Sequence, residues 1–185
     1  MNDPNPPNRR GRLALIGLAA LFFVPLAVSF YLYFHTDWRP SGGAQKGELI
    51  SPPQPLPPGL PAGDWLIVHL GEGPCDEACR EVLIKTRQVR LALDKDVNRV
   101  SRVFLRSAVP PIEPTLGDEH PDLLVRRAED DEGKALLAAF PDPPSSGRIY
   151  IVDPLGNLLM AYPAEAPPRS ILTDLERLLK LSHIG

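Results

Sequence analysis

The hydrophobic pattern opens with an unbroken uncharged run from Leu13 to Phe34, "LALIGLAALFFVPLAVSFYLYF". A helix of roughly 20 apolar residues spans the hydrocarbon core of a bilayer, so the run predicts one transmembrane helix over 13–34. A cleaved signal has a shorter apolar region, about 7–15 residues, followed by a small-residue cleavage site. "SFYLYFHTDW" offers no such site. Pro25 is tolerated inside a membrane span. Arg9, Arg10 and Arg12 crowd the N-terminal flank. The positive-inside tendency therefore predicts a cytoplasmic basic tail over 1–12 and export of everything after Phe34. In a Gram-negative cell that is a single-pass protein of the inner membrane with a periplasmic C-terminal domain.

Residues 35–62 are dominated by prolines, which fix φ and remove donors, and they read as a semi-extended linker. Within it "GELIS" is a short exception that can pack on the domain as an edge strand. The folded domain is expected over 63–185. "DWLIVHLG" is nearly all apolar, as a strand buried on both faces should be. From Asp76 to about Val97 the spacing is helical, with Ala78, Val82, Val89 and Leu93 on one face. "RVSRVFLRS" (99–107) reads as a second strand. A proline-rich loop with Pro110, Pro111, Pro114 and Pro121 follows. "DLLVRRA" (122–128) is a short strand or the start of a helix, and "DDEGKALLAAF" (130–140) is a helix. "RIYIVDPLGNLLMAYP" is a hairpin turning at Asp153, Pro154, Gly156 and Asn157. The closing helix puts Ile171, Leu172, Leu175, Leu178 and Leu179 inward. Strand, helix, strand, variable segment, hairpin, helix predicts an α/β thioredoxin-like sandwich: a mixed sheet flanked by helices, preceded by the transmembrane helix.

Length and charge narrow the function classes. The 185 residues allow one domain plus appendages. A net charge of −3 gives no reason to expect nucleic acid as a partner. The chain has no internal repeat and no phosphate-binding loop.

The chemistry rests on the two cysteines, Cys75 and Cys79, where the first buried strand becomes a helix. Free N–H groups and the positive dipole end at such a start stabilise a thiolate. Four positions along a helix place two sulfurs within reach of a disulfide, and equally of one soft ion, for which Cu(I) is the natural candidate. Three readings stay open: a redox couple, a Cu(I) site, and a structural clip, which gains little because the enclosed loop is so short. Among the histidines, His69 reads as a packed or hydrogen-bonded strand residue. His120, on the proline-rich loop, is the candidate third metal ligand; His35 and His183, at the membrane edge and the C-terminus, are not. Arg80, Lys85, Arg87 and Arg90 read as a solvated helix face, or as charges that lower the thiol pKa or dock an acidic partner.

"GDWLIVHLGEGPCDEAC" followed by a helix, a strand and "IYIVDPLGNLL" resembles the Sco/SenC family of membrane-anchored thioredoxin-like proteins, over roughly residues 60 to 183. "GELI" and "RQVRLALDKDVNRVSRVFL" resemble small membrane-anchored relatives encoded with cytochrome oxidase genes. The resemblance implies a role in assembling the copper centre of cytochrome c oxidase, with an oxidase subunit or assembly factor as partner. It carries the thiol pair onto Cys75 and Cys79, with Cys75 as the more exposed, attacking sulfur. The third copper ligand in Sco proteins is a histidine just upstream of the hairpin. Here that region reads "PDPPSSGRIYIVD", with no histidine, and Arg80 stands where a proline usually follows the second cysteine.

Overall fold

The computed structural model describes residues 9–35, 45–107, 114–182 and 184. The readings that fall on residues 1–8, on 36–44 of the linker, on Pro110 and Pro111 and on His183 lie outside them. The chain divides into two compact units between residues 43 and 44.

The first unit holds one helix, α1 (Arg9–His35), interrupted by no charge beyond its first turn and containing Pro25. Over Gly11–Leu32 its mean hydropathy is 2.5 and none of it is covered by protein. Its apolar side chains face outward all round, from Leu13 through Phe22 and Phe23 to Phe30. A helix with no polar stripe suits a lipid surround, and this one is long enough to span a membrane.

The second unit is a six-stranded mixed sheet with helices on both faces, a thioredoxin-like fold. The strands are β1 (Glu48–Pro55), β2 (Trp65–Gly71), β3 (Val100–Ser107), β4 (Leu123–Ala128), β5 (Ile149–Val152) and β6 (Asn157–Tyr162), in the order β1-β6-β5-β2-β3-β4. β2, β3 and β4 run parallel, and β5, β6 and β1 are antiparallel additions. The helices are α2 (Glu77–Leu91), α3 (Pro114–Glu119), α4 (Asp131–Ala138) and α5 (Pro168–Leu181).

The edge strand read from "GELIS" is present, but two boundaries differ from the sequence reading. The strand, β1 on β6, runs on through the prolines to Pro55. Proline is admissible on an edge because one side of the strand needs no donors. Leu56 and Leu60 then pack on the core beneath. The helix expected to run to about Val97 stops at Leu91, and a separate 3-10 turn covers Asp94–Arg99.

Each strand divides its side chains between the two faces by alternation. Leu66, Val68 and Leu70 face α4 with Leu136 and Phe140. Trp65 and Ile67 face α2 and α5, against Val82, Val89, Ile171, Leu175 and Leu179. Ala78, expected on the buried face of α2, is exposed; Leu83 and Thr86 are buried there instead. The least expected core members are Arg102 and Arg106 of β3. They alternate with Val100 and Phe104 beneath α2.

Candidate thiol–disulfide site

β2 carries the chain into the site. It is buried from end to end, bonded to β3 on one side and β5 on the other, so its last residues cannot shift independently. After Gly71 the chain turns through 72–75 into α2. Arg106 of β3, directly opposite Gly71 in register, donates to the Gly73 carbonyl and fixes that turn from below. A methyl group on Gly71 would lie 2.4 Å from the Phe104 ring, so close packing here requires glycine.

Asp76, not Cys75, caps α2: its carboxylate accepts the Cys79 N–H at 2.9 Å. Cys75 therefore stands one residue before the cap and Cys79 in the first turn. The two are joined in a disulfide with a Cα–Cα separation of 5.2 Å. Their exposure reverses the expected order. Cys75 is buried at 5 %, packed with Leu83, Phe104 and Leu116, while Cys79 is only partly covered. The residue before the cap turns inward toward β3, whereas the first turn of the helix faces out.

Cys79 opens into a cleft of about 540 Å³. Its floor is His69 and Phe104, its near wall the 72–79 turn, and its far walls are the connector 144–147 and residues 164–165. The connector is held rigidly. Asp142 accepts from the Tyr150 hydroxyl at 2.7 Å and pairs with Arg148 at 3.2 Å, and Gly147 completes a 3-10 turn at φ +61, a left-handed conformation that favours glycine. Lys85 of α2 donates to the Ala164 carbonyl and braces the opposite wall.

His69 is 3 % exposed and stacks on Phe104, ring centroids 5.2 Å apart and 11° from parallel. Its Nδ1 lies 3.4 Å from the Arg148 carbonyl. A carbonyl only accepts, so Nδ1 carries the proton and Nε2 is left as a lone-pair acceptor. Nε2 is buried with no partner among the described residues. Burial holds the imidazole down to about 4, against the opposing effect of the Arg148 and Gly147 backbone, so it is neutral at physiological pH.

His120 is not the exposed loop residue of the sequence reading. It follows α3, is 3 % exposed, and neither ring nitrogen has a partner among the described residues. Burial first, then the Arg102 and Arg87 charges, lower its pKa. It does not line the Cys79 cleft. Among the described residues no His, Cys, Asp and Glu set of three or more stands close enough to hold a metal ion. For Cu(I), the site offers the two sulfurs once reduced. The basic face of α2 is also only partly solvated: Arg90 donates to the Val100 carbonyl at 2.6 Å and Arg87 to the Glu119 carbonyl at 3.3 Å.

Arg102, Arg106 and Asp122 went unrecognised as site supports. Arg102 donates to the Leu83 carbonyl at 2.6 Å and to Thr86, and forks onto both oxygens of Asp122. It locks α2 onto β3 one to two turns below Cys79. Arginines four apart on a central parallel strand are the available signal, because both faces of such a strand are buried and a buried charge must be paired.

Residues 65–182 match the family model described as "Transmembrane-like, thioredoxin-like, C-terminal domain". No curated protein matches the chain. Among solved structures, copper-bound ScoI of Arabidopsis thaliana is similar at 18 % identity and TM-score 0.54, with 65 % of this chain and 87 % of that one covered. Copper-bound yeast Sco1 is similar at 16 % identity and TM-score 0.54, with 65 % and 81 % covered. A DsbF homologue of Corynebacterium diphtheriae is similar at 10 % identity and TM-score 0.52, with 75 % and 96 % covered. At these identities the likeness is one of fold.

Proposed function

The chain belongs to the transmembrane-like, thioredoxin-like C-terminal domain family, and from that premise we propose that it is a membrane-anchored thiol–disulfide factor serving cytochrome c oxidase assembly. The observation that carries this reading is the Cys75–Cys79 disulfide at a capped helix start, with one sulfur buried and the other opening into a cleft. A bond that bridges one helical turn beside an open cleft is accessible to a partner's sulfur, as a purely structural clip in the core would not be. In the reduced state the Cys79 thiolate attacks the partner's disulfide and forms a mixed disulfide. Cys75 then attacks Cys79, releasing the partner as a dithiol and restoring the Cys75–Cys79 bond. Two electrons and two protons pass to the partner, whose cysteines become competent to take copper. A thiol reductant outside the cytoplasm regenerates the pair.

The oxidase role follows from the family resemblance and from the shared fold of the Sco proteins. In this reading α1 sits in the inner membrane, with the arginine-rich end in the cytoplasm and the second unit in the periplasm. A second reading, carriage of Cu(I) by the same two sulfurs, is favoured by their 5.2 Å Cα separation, which lets both meet one ion after reduction.

The test uses the full chain in detergent and in its own membrane. Equilibration in dithiothreitol buffers, read by alkylation, is expected to show one cooperative two-electron transition. The Cys75→Ser/Cys79→Ser variant is expected to lower the yield of copper-loaded oxidase. Stoichiometric Cu(I) binding by the reduced chain, with no exchange activity, selects the second reading. Full oxidase assembly with the double variant leaves the pair as a clip and overturns both.

A further inference from the structure

The lining of the Cys79 cleft is one-sided in its chemistry. It contains the carboxylates of Glu72, Asp76 and Glu165 and no lysine or arginine. Glu72 and Glu165 are exposed at its rim and make no ion pair with another described residue. Two basic groups touch the lining without being part of it, each engaged by a backbone carbonyl: Arg106 lies over the Phe104 ring and donates to Gly73, and Lys85 is bonded to Ala164. Acidic residues at a surface are by themselves only a solvated patch. The floor supplies the independent observation, because His69 lines this cleft and its buried Nε2, a lone-pair acceptor, has no donor among the described residues. A buried acceptor without a donor costs on the order of 1–3 kcal/mol, which a ligand bearing N–H groups would recover. The walls add the hydroxyls of Ser145 and Ser146, which can accept as well as donate.

We propose that this cleft receives a positively charged side chain, lysine or arginine in chemistry, that neighbours the partner's exchanging cysteine. This rests on the thiol–disulfide reading above and names the substrate class for it: a protein disulfide flanked by basic residues. The cation's N–H groups point to His69 Nε2 and its charge is met by Glu72, Asp76 and Glu165, while the adjacent sulfur lies against Cys79. His69 stays an acceptor throughout the neutral range because burial keeps it unprotonated.

Three small disulfides that differ in charge test this on the reduced full chain in detergent: cystamine (cationic), bis(2-hydroxyethyl) disulfide (neutral) and dithiodipropionate (anionic). In each, Cys79 bonds to one probe sulfur, the probe S–S bond breaks, and Cys75 displaces the second probe thiol; the protons of the two cysteines leave with the two products. Rates are divided by those of free dithiothreitol with the same probe, which removes the probes' own reactivity. The expected result is a normalised preference of about tenfold for cystamine over dithiodipropionate at low salt, with the neutral probe between. The preference should shrink at about 1 M salt and in the Glu72→Gln/Glu165→Gln variant, both positions being exposed and tolerant. Equal normalised rates would overturn this inference and leave the exchange reading intact. Failure of all three probes to react would overturn both.

Discussion

Asp174, on the buried face of α5, accepts the hydroxyl of Tyr162 at 2.9 Å and, with the same oxygen, the backbone N–H groups of Lys46 at 2.6 Å and Gly47 at 2.8 Å. One carboxylate thus pins the residues that lead into β1 to the last helix and to β6. Burial first, then the Asp174 charge, raises the Tyr162 pKa, so the phenol stays a donor. Asp174→Ala removes the acceptor of three donors, the buried Tyr162 hydroxyl and two part-buried amides, and is expected to cost about 3 kcal/mol. Hydrogen exchange should show the Lys46 and Gly47 amides losing protection first, with the β2–β3 core following only on global unfolding. Unchanged exchange at both amides would refute the clamp.

A second buried polar device lies under α2. Asp122 is held below the usual carboxylate range: burial opposes its charge, and the Arg102 guanidinium overrides that with a forked bond at 3.1 and 3.2 Å. Arg102 is completely buried. Arg102→Ala removes the fork from Asp122, which keeps an ion pair with Arg90 at 3.6 Å. It also removes the guanidinium bond from the Leu83 carbonyl, which still accepts from the Thr86 hydroxyl, and the expected loss is about 3–5 kcal/mol in chemical denaturation. Asp122→Asn, at a position that reaches solvent, should cost clearly less. Equal losses in the two variants would show that the pair, rather than the buried guanidinium, sets the stability.

Much of this architecture was legible because period and burial coincide. The nearly all-apolar "WLIVHLG" reads as an interior strand, and the Asp153–Asn157 turn between two apolar runs reads as the close of a hairpin. What escaped is long-range and polar. Asp174 looks solvated within an amphipathic helix, since two of its partners are 127 and 128 residues away. Arg102 looks like the polar phase of an alternating strand until α2 is laid over it. The site was found through its cysteines, yet their relative exposure depends on which way residue 75 turns before the cap, and pattern carries no information on that. The start of β1 was legible in "GELIS", while its continuation to Pro55 was masked by prolines, which disqualify an interior strand but not an edge.

His69 makes the domain sensitive to mild acid, with a definite sign. Its folded pKa, about 4, lies below the unfolded value of 6.5. Above 6.5 both states are neutral and the full stability is present. Between 6.5 and 4 the unfolded chain binds a proton that the folded chain refuses, so stability falls as pH falls and the loss is complete near 4. The shift corresponds to roughly 3 kcal/mol. His120, also lowered, acts in the same direction. Denaturant midpoints at several pH values should therefore fall through this window in the wild type and fall less steeply in His69→Phe, which keeps the stack on Phe104. Parallel curves for the two proteins would place the acid sensitivity elsewhere.

The burial of Cys75 and partial exposure of Cys79 bear directly on the order of exchange. An incoming sulfur must approach along the S–S axis, and Cys79 is the sulfur that faces the cleft, whereas Leu83, Phe104 and Leu116 close over Cys75. A mixed disulfide should therefore form on Cys79, with Cys75 as the internal resolving thiol. In single variants, Cys75→Ser keeps the accessible sulfur but loses resolution, so it should accumulate a stable mixed disulfide with glutathione. Cys79→Ser keeps only the covered sulfur, and its modification should be slower by about tenfold or more, since exchange rates follow access as well as thiolate character. Peptide mapping of the trapped adduct by mass spectrometry reads the attachment site. An adduct on Cys75 as abundant as that on Cys79 would mean that the packing over Cys75 opens on the timescale of exchange, and the assignment of roles would fall.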